Sequence, residues 1–335
     1  MSKTRITVIP GDGIGPSIID SAIQILQHAG CDFDYDYADA GLVALEKHGE
    51  LLPQATLDLI ERNKVSLKGP LTTPVGGGFT SINVSLRKKF NLYANVRPVI
   101  SFNGTKSRYE NIDIITVREN TEGMYSGAGQ KRSDDNNSAE AMSIITREGA
   151  ERIATFAFEL AKNEGRKKVT VVHKANILKS TSGLFLEVAR QVAARYPEIQ
   201  CEEMIVDAAC MNLVMYPERF DVMVTTNLFG DILSDLCAGL VGGLGMAPGA
   251  NIGSGAAIFE AVHGSAPDIA GKNIANPTSV ILASVQMLEY LGMQEKAERI
   301  LGAVRATIEA GEHVTRDLGG SASTDEFTQA VIARL

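Results

Sequence analysis

What this chain lacks narrows its class first. Its four cysteines, Cys31, Cys201, Cys210 and Cys237, are scattered and form no Cys-x-x-Cys pair. Reduced thiols are therefore expected, rather than a disulfide framework or a zinc site. Basic residues are outnumbered, 32 Lys and Arg against 40 Asp and Glu, for a net charge of −8. A nucleic-acid protein carries a basic footprint, so no nucleic-acid partner is expected. No apolar run approaches the roughly 18–20 residues of a membrane helix, and no membrane partner is expected either. A first strand, Ile6 to Ile9, begins almost at Met1, so no leader is read there and a cytoplasmic location is expected. Internal repeats and linkers rich in Pro, Gly or Ser are also missing.

What is present is an ordinary globular balance, 44% hydrophobic and 21% charged over 335 residues, enough for one large domain or two. Short β-branched runs alternate with longer amphipathic ones. Strands are read at Arg5–Ile9, Ile112–Val117, Lys168–His173 and Val222–Thr226. Helices are read at Ser17–His28, Glu148–Asn163, Thr181–Arg195 and Pro277–Leu291. This alternation predicts an α/β architecture. Residues 130–141 are almost free of apolar side chains before a strand-like Met142–Thr146. Two readings stand there, a solvated loop tip and a projecting β-arm that pairs with a second subunit.

Chemistry concentrates in a few stretches. Gly11–Pro16 has glycines at 11, 13 and 15, which is not the G-x-G-x-x-G of a dinucleotide fold, and a tight turn competes equally with cofactor contact. Ser81 and Asn83 precede Arg87, on a helix expected over Thr80–Phe90, and either cap it or face a ligand. Thr80 is the alternative cap. Arg97 follows, and Arg118 stands just past the end of the Ile112–Val117 strand. Arginines gathered at element ends of an acidic chain suggest a carboxylate clamp, since guanidinium grips carboxylate bidentately. Tyr125 is packing, or a proton donor if nearby cations lower its pKa. Lys174 sits where α/β proteins place functional groups, at a strand C-terminus. Asp231 and Asp235 are four apart, so both project from one helix face. With Asp207 they offer oxygen-only ligands suited to Mg²⁺ or Mn²⁺, or they are merely solvated. Within residues 260–271, His263–Ala266 reads as a small-residue turn through which a phosphate or ribose could approach the backbone, and Asn276–Pro277 reads as a helix cap and first position.

These six blocks, in this order, resemble the isocitrate/3-isopropylmalate dehydrogenase family from Ile6 to about Glu326, with the nearest likeness to its NAD-dependent isocitrate dehydrogenases. The resemblance implies a two-domain fold with a mixed sheet, not a Rossmann fold. One domain would comprise residues 1–99 plus 252–335, the other residues 100–251 with a dimerisation arm at about 126–147. It implies that Arg87, Arg97 and Arg118 hold substrate carboxylates and that Ser81 and Asn83 grip a third one. Tyr125 and Lys174 would be the acid and base, and Asp207, Asp231 and Asp235 the metal ligands. The nucleotide site would comprise Thr72, Thr73, Asn176, Glu260, His263, Gly264, Ser265, Ala266, Asp268, Ile269 and Asn276. Lys174 and Asp207 would come from the partner subunit of a homodimer. The implied activity is NAD-dependent, Mg²⁺- or Mn²⁺-dependent oxidative decarboxylation of isocitrate to 2-oxoglutarate and CO₂. Polar Ser81 and Asn83 disfavour 3-isopropylmalate, leaving homoisocitrate as the rival substrate. A non-catalytic regulatory subunit is the rival of another kind. NAD is expected because Asp268 and Ile269 fall where NADP-using relatives have lysine and tyrosine, and no basic side chain lies between Glu260 and Gly271.

Overall fold

The computed structural model describes residues 3–74 and 81–335; residues 75–80, with the glycine run and the alternative cap Thr80, lie outside them. Strands in the middle of a sheet read as near-continuous apolar runs because both faces are covered. Val222–Thr225 is of this kind, while Val65–Lys68 is buried at every residue although it carries the polar Ser66 and Lys68. The chain divides into two units.

The terminal unit comprises Met1–Phe90, Ser101–Glu110 and Ala238–Leu335. Its strands run in the order Phe33–Tyr37, Thr4–Ile9, Val65–Lys68, Ala257–Ala261, Pro248–Ile252. The first three junctions are parallel and the last is antiparallel. Helix Thr278–Tyr290 is buried along almost its whole length, packed on these strands and against helix Gly15–His28.

The middle unit comprises Asn91–Ile100 and Asn111–Cys237. Its strands run Ala94–Ile100, Asp113–Glu119, Val222–Thr225, Lys168–His173, Gln200–Ile205. Here the first junction is antiparallel and the rest parallel. Helices Arg147–Asn163 and Thr181–Ala193 pack together beside them. Each set of strands is mixed, and the fold is α/β rather than Rossmann.

The observed boundaries differ from those expected. Residues 91–100 join the middle unit because the Ala94–Ile100 strand pairs antiparallel with Asp113–Glu119 over seven residues. Residues 101–110 return to the terminal unit, where Asn103 donates to Glu309. Residues 238–251 belong there too, since Pro248–Ile252 pairs with Ala257–Ala261. No strand forms at 142–146. The polar tip instead folds as a two-stranded ribbon, Lys131–Arg132 against Ala139–Glu140, with every strand residue exposed.

Candidate active site

Arg118 is the penultimate residue of strand Asp113–Glu119, not the residue after its end, and its side chain is only 1% exposed. It is covered by helix Asn227–Leu240. At 3.6 residues per turn, positions 227, 230, 231, 234 and 235 of that helix share one face. Asn227 Oδ1 accepts from Arg118 Nε at 3.1 Å and from its Nη2 at 2.8 Å, and Asp231 accepts from Nη1. Gly230 leaves the space Arg118 needs, since a Cβ there would lie 2.4 Å from Arg118 Cγ. One turn on, Arg97 donates to Ser234 Oγ at 2.7 Å and to Asp235 at 3.0 Å. Asp231 and Asp235 carry like charge one turn apart, and the two guanidiniums between strand and helix offset that repulsion.

Tyr125, in the short turn Gly123–Ser126, donates its hydroxyl proton to Asp231, and the Arg118 guanidinium lies 5.0 Å from the ring centroid. Partial burial and the Asp231 carboxylate push the phenol pKa up, outweighing Arg118. This corrects the expectation of a lowered pKa: the dominant neighbour is an anion. A phenol that holds its proton is a donor rather than a base.

Lys174 and Asp207 form a second cluster. Lys174 directly follows strand Lys168–His173, and Asp207 lies in the first turn of helix Val206–Met215, after strand Gln200–Ile205. His173 and Ile205 are register partners, so these strand ends lie side by side and Lys174 ion-pairs with Asp207. That bond holds the Asp207 carboxyl below its usual range. Asn176 is exposed in the turn that follows. Among the described residues, no three Asp, Glu, His or Cys side chains converge to hold a metal, so Asp207 does not join Asp231 and Asp235 within one chain.

Ser81, Asn83 and Arg87 belong to the terminal unit. Helix Ile82–Lys89 starts after Ser81, whose side chain makes no capping bond. The hydroxyl of Thr73 accepts from the Ile82 N–H instead, so the capping read for Ser81 is made from another loop. Arg87 is buried in the last turn of that helix.

The glycine turn and the 263–269 loop form one assembly. Asp12 is 2% exposed, and its carboxylate accepts the N–H groups of Leu42, Val43 and Thr72. Thr72 shares a hydrogen bond with Ser265 at 2.6 Å, and the Ile14 N–H donates to the Ser265 carbonyl. A Cβ at Gly13 would stand 1.9 Å from that carbonyl oxygen. Glycine is thus required here by close packing against a loop read as nucleotide-binding. In that loop Ala266 has φ +40°, Gly264 and Asp268 are exposed, and Ile269 is half-buried. His263 Nδ1 faces the Gly264 carbonyl, while its buried Nε2 has no partner among the described residues, an orphaned atom that a ligand laid in the loop would satisfy.

Glu260 is engaged within its own sheet. It lies within strand Ala257–Ala261, in register with Lys68, and its carboxylate takes Lys68 Nζ at 2.7 Å and Asn251 Nδ2 at 2.7 Å. Burial pushes its pKa up, but the charges of Lys68 and Arg87 and these bonds win and bring it down to about 2. Asn276 is likewise committed, donating to Asp317 and accepting from the Thr278 N–H. The helix itself begins at Thr278, one residue later than read, so Asn276 caps it from outside. Sequence reasoning missed Asp12, Lys68, Asn227, Gly230 and Ser234.

Comparison with known proteins places these residues in context. The family model described as isocitrate/isopropylmalate dehydrogenase matches residues 5–331. The mitochondrial NAD isocitrate dehydrogenase catalytic subunit 5 of Arabidopsis thaliana is 50% identical over 98% of this chain and 88% of its own length. A 3-isopropylmalate dehydrogenase of Archaeoglobus fulgidus is 51% identical over 99% of both. The crystal structure of isocitrate dehydrogenase from Methylococcus capsulatus is 55% identical, with a TM-score of 0.95 over 98% of both chains.

Proposed function

Because this chain belongs to the isocitrate/isopropylmalate dehydrogenase family, we propose that it oxidatively decarboxylates isocitrate to 2-oxoglutarate and CO₂, with NAD as acceptor and Mg²⁺ or Mn²⁺ as the ion. Relatives named for either substrate are about equally similar, so the choice rests on side chains. The observation that carries it is the head of helix Ile82–Lys89. The Ser81 hydroxyl is not spent on capping, and Asn83 sits four residues before Arg87 on the same helix face. Three polar groups so arranged suit a third carboxylate. An apolar side chain in its place would leave them unpaired, a strong discriminator.

The donor set fits the ion: Asp231 and Asp235 offer carboxylate oxygens, which Mg²⁺ and Mn²⁺ prefer, held on one helix face by Arg97 and Arg118. When bound, the ion lowers the pKa of the substrate hydroxyl and stabilises negative charge that develops during decarboxylation. NAD, which the 263–269 loop and Thr72 would hold, would supply the acceptor for the two electrons that leave the hydroxyl-bearing carbon. Arg87, Arg97 and Arg118 orient the carboxylates. Lys174 accepts the hydroxyl proton, and Tyr125, which retains its own proton, delivers it to C3 after CO₂ leaves. Exposed Asp268 favours NAD by accepting from the adenosine ribose hydroxyl and repelling a 2′-phosphate.

The working unit is a cytoplasmic homodimer in this reading. Lys174 and Asp207 engage each other, and among the described residues no three carboxylates converge, which supports a site that a second copy completes with them. Exposed Met142, Ile144, Ile177, Met211, Met215 and Ile232 in the middle unit give such a copy an apolar surface. A cavity of about 420 Å³ beside them, lined by Ser143, Ile145, Leu178 and Leu228 among others, gives it a recess to fill.

The test is NADH formation with Mg²⁺ or Mn²⁺ against isocitrate, homoisocitrate and 3-isopropylmalate. The highest kcat/KM is expected for isocitrate. A higher value for either rival overturns the substrate, and no turnover of any favours a regulatory subunit.

A further inference from the structure

We propose that Asn227 is a positioning residue for substrate recognition, acting through Arg118; this rests on the reading of Arg118 as a carboxylate-binding group. Three observations carry it. First, the Asn227 side chain, on the first residue of helix Asn227–Leu240, bonds the guanidinium rather than its own helix. Second, Asn227 is fully buried, and its amide nitrogen has no hydrogen-bond partner among the described residues. A guanidinium only donates, so the amide oxygen must face Arg118, and the Nδ2 donor is left over on the far side. Buried unpaired donors are rare in folded proteins, and this one follows from assigning the oxygen to Arg118. Third, both bonds fall on one edge of the guanidinium, Nε and Nη2. That fixes the plane and leaves Nη1 directed at Asp231, beside the Tyr125 ring.

The consequence is directional. Arginine recognises a carboxylate through a planar fork, so a rotated fork presents the wrong donors without losing its charge. Asn227 is neutral and holds the fork without cancelling its charge. An aspartate in its place would accept the same two bonds but neutralise the cation, so the amide is the group that does both.

The experiment compares Asn227→Ala, Asn227→Asp and Arg118→Lys with wild type, reading substrate KM, NAD KM, kcat and substrate binding by calorimetry. Asn227→Ala is expected to raise the substrate KM and the calorimetric Kd by about tenfold or more, with the NAD KM within about twofold. Asn227→Asp should likewise weaken substrate, through charge rather than orientation. In the Arg118→Lys background, Asn227→Ala should add almost nothing, because the group it positions is gone. A merely structural Asn227 would lower Tm and the active fraction while leaving both KM values unchanged, and that result overturns the proposal. So does full additivity with Arg118→Lys. If Asn227→Ala does not fold, Asn227→Asp still decides, since an unchanged substrate Kd in that variant also overturns it. The wild-type control separates the two layers: no turnover of any 2-hydroxy acid means that the functional reading has failed. Normal wild-type turnover with an indifferent Asn227 means that only the positioning role has.

Discussion

At Gly230 a single methyl group is enough to test the site. Alanine there places Cβ 2.4 Å from Arg118 Cγ, so the arginine must shift. Overpacking costs about 1–3 kcal/mol, whereas Ala in place of Gly gains about 1 kcal/mol of helix propensity. Stability should therefore change little in Gly230→Ala while kcat/KM falls by about tenfold to a hundredfold. Thermal melts beside steady-state kinetics check this, and a matching fall in both would count against a functional role for the space. The spacing of Asp231 and Asp235 placed both on one face from sequence alone, and the same arithmetic holds for Asn227, Gly230 and Ser234. Those three carry no functional signal in the sequence, because Asn and Ser suit caps and turns and Gly is a poor helix former. Their partner Arg118 lies 109 residues upstream of Asn227, beyond any local pattern.

Between neighbouring strands, Lys68 and Glu260 form a buried pair with side chains 2% and 7% exposed. Removing one partner, as in Lys68→Met, leaves an uncompensated charge and should cost about 3–5 kcal/mol in a urea melt. Removing both, as Lys68→Met with Glu260→Leu, should recover most of that loss. The same pair predicts an acid dependence. The folded pKa of Glu260, about 2, lies below its ordinary value of 4.5, so its contribution is present above about pH 4.5. It is lost as pH falls toward 2. A Glu260→Gln variant should lack this part of the acid slope, and an identical slope would refute it. In the 263–269 loop, Asp268→Lys with Ile269→Tyr should shift the kcat/KM ratio toward NADP by at least about tenfold. A wild-type enzyme already preferring NADP would remove the basis for that swap. At this scale the sequence was a fair guide: the Lys168–His173 strand has the limits read for it. The strand that carries Arg118 was read two residues short at its end, at Val117. Arg118 continues the ladder because it pairs across to Thr225 and Asn95, partners visible only in three dimensions.

For the whole molecule, a shared site predicts complementation. Lys174→Met and Asp231→Asn chains should each be nearly inactive alone. If every site draws Asp231 from one chain and Lys174 from the other, a heterodimer carries one site with both lesions and one with neither. Random reassortment makes half the dimers mixed, so activity should return to about a quarter of wild type. Mixing after mild dissociation, with activity measured against time, checks it, and no recovery despite confirmed exchange would show that each site is built from one chain. That a chain this long forms two units, one built from both of its ends, was legible through the family motifs. The crossings at residues 91–110 were not, because they depend on which strand Ala94–Ile100 pairs with.

The terminal unit's three-piece construction also sets an order on the ribosome. Strand Val65–Lys68 is paired on one side by Thr4–Ile9 and on the other by Ala257–Ala261, which emerges about 190 residues later. At about 5–20 residues per second, that open edge waits on the order of 10–40 s, while the mostly contiguous middle unit is already complete. An unpaired edge, with Val65 and Leu67 uncovered and Lys68 without Glu260, is a template for association with other chains. Nascent chains arrested near residue 275, with Ala257–Ala261 still inside the ribosome, should accordingly engage chaperones and be cut by protease before residue 90 while residues 111–237 resist. Equal resistance of both segments would mean that the first ninety residues close their sheet without waiting.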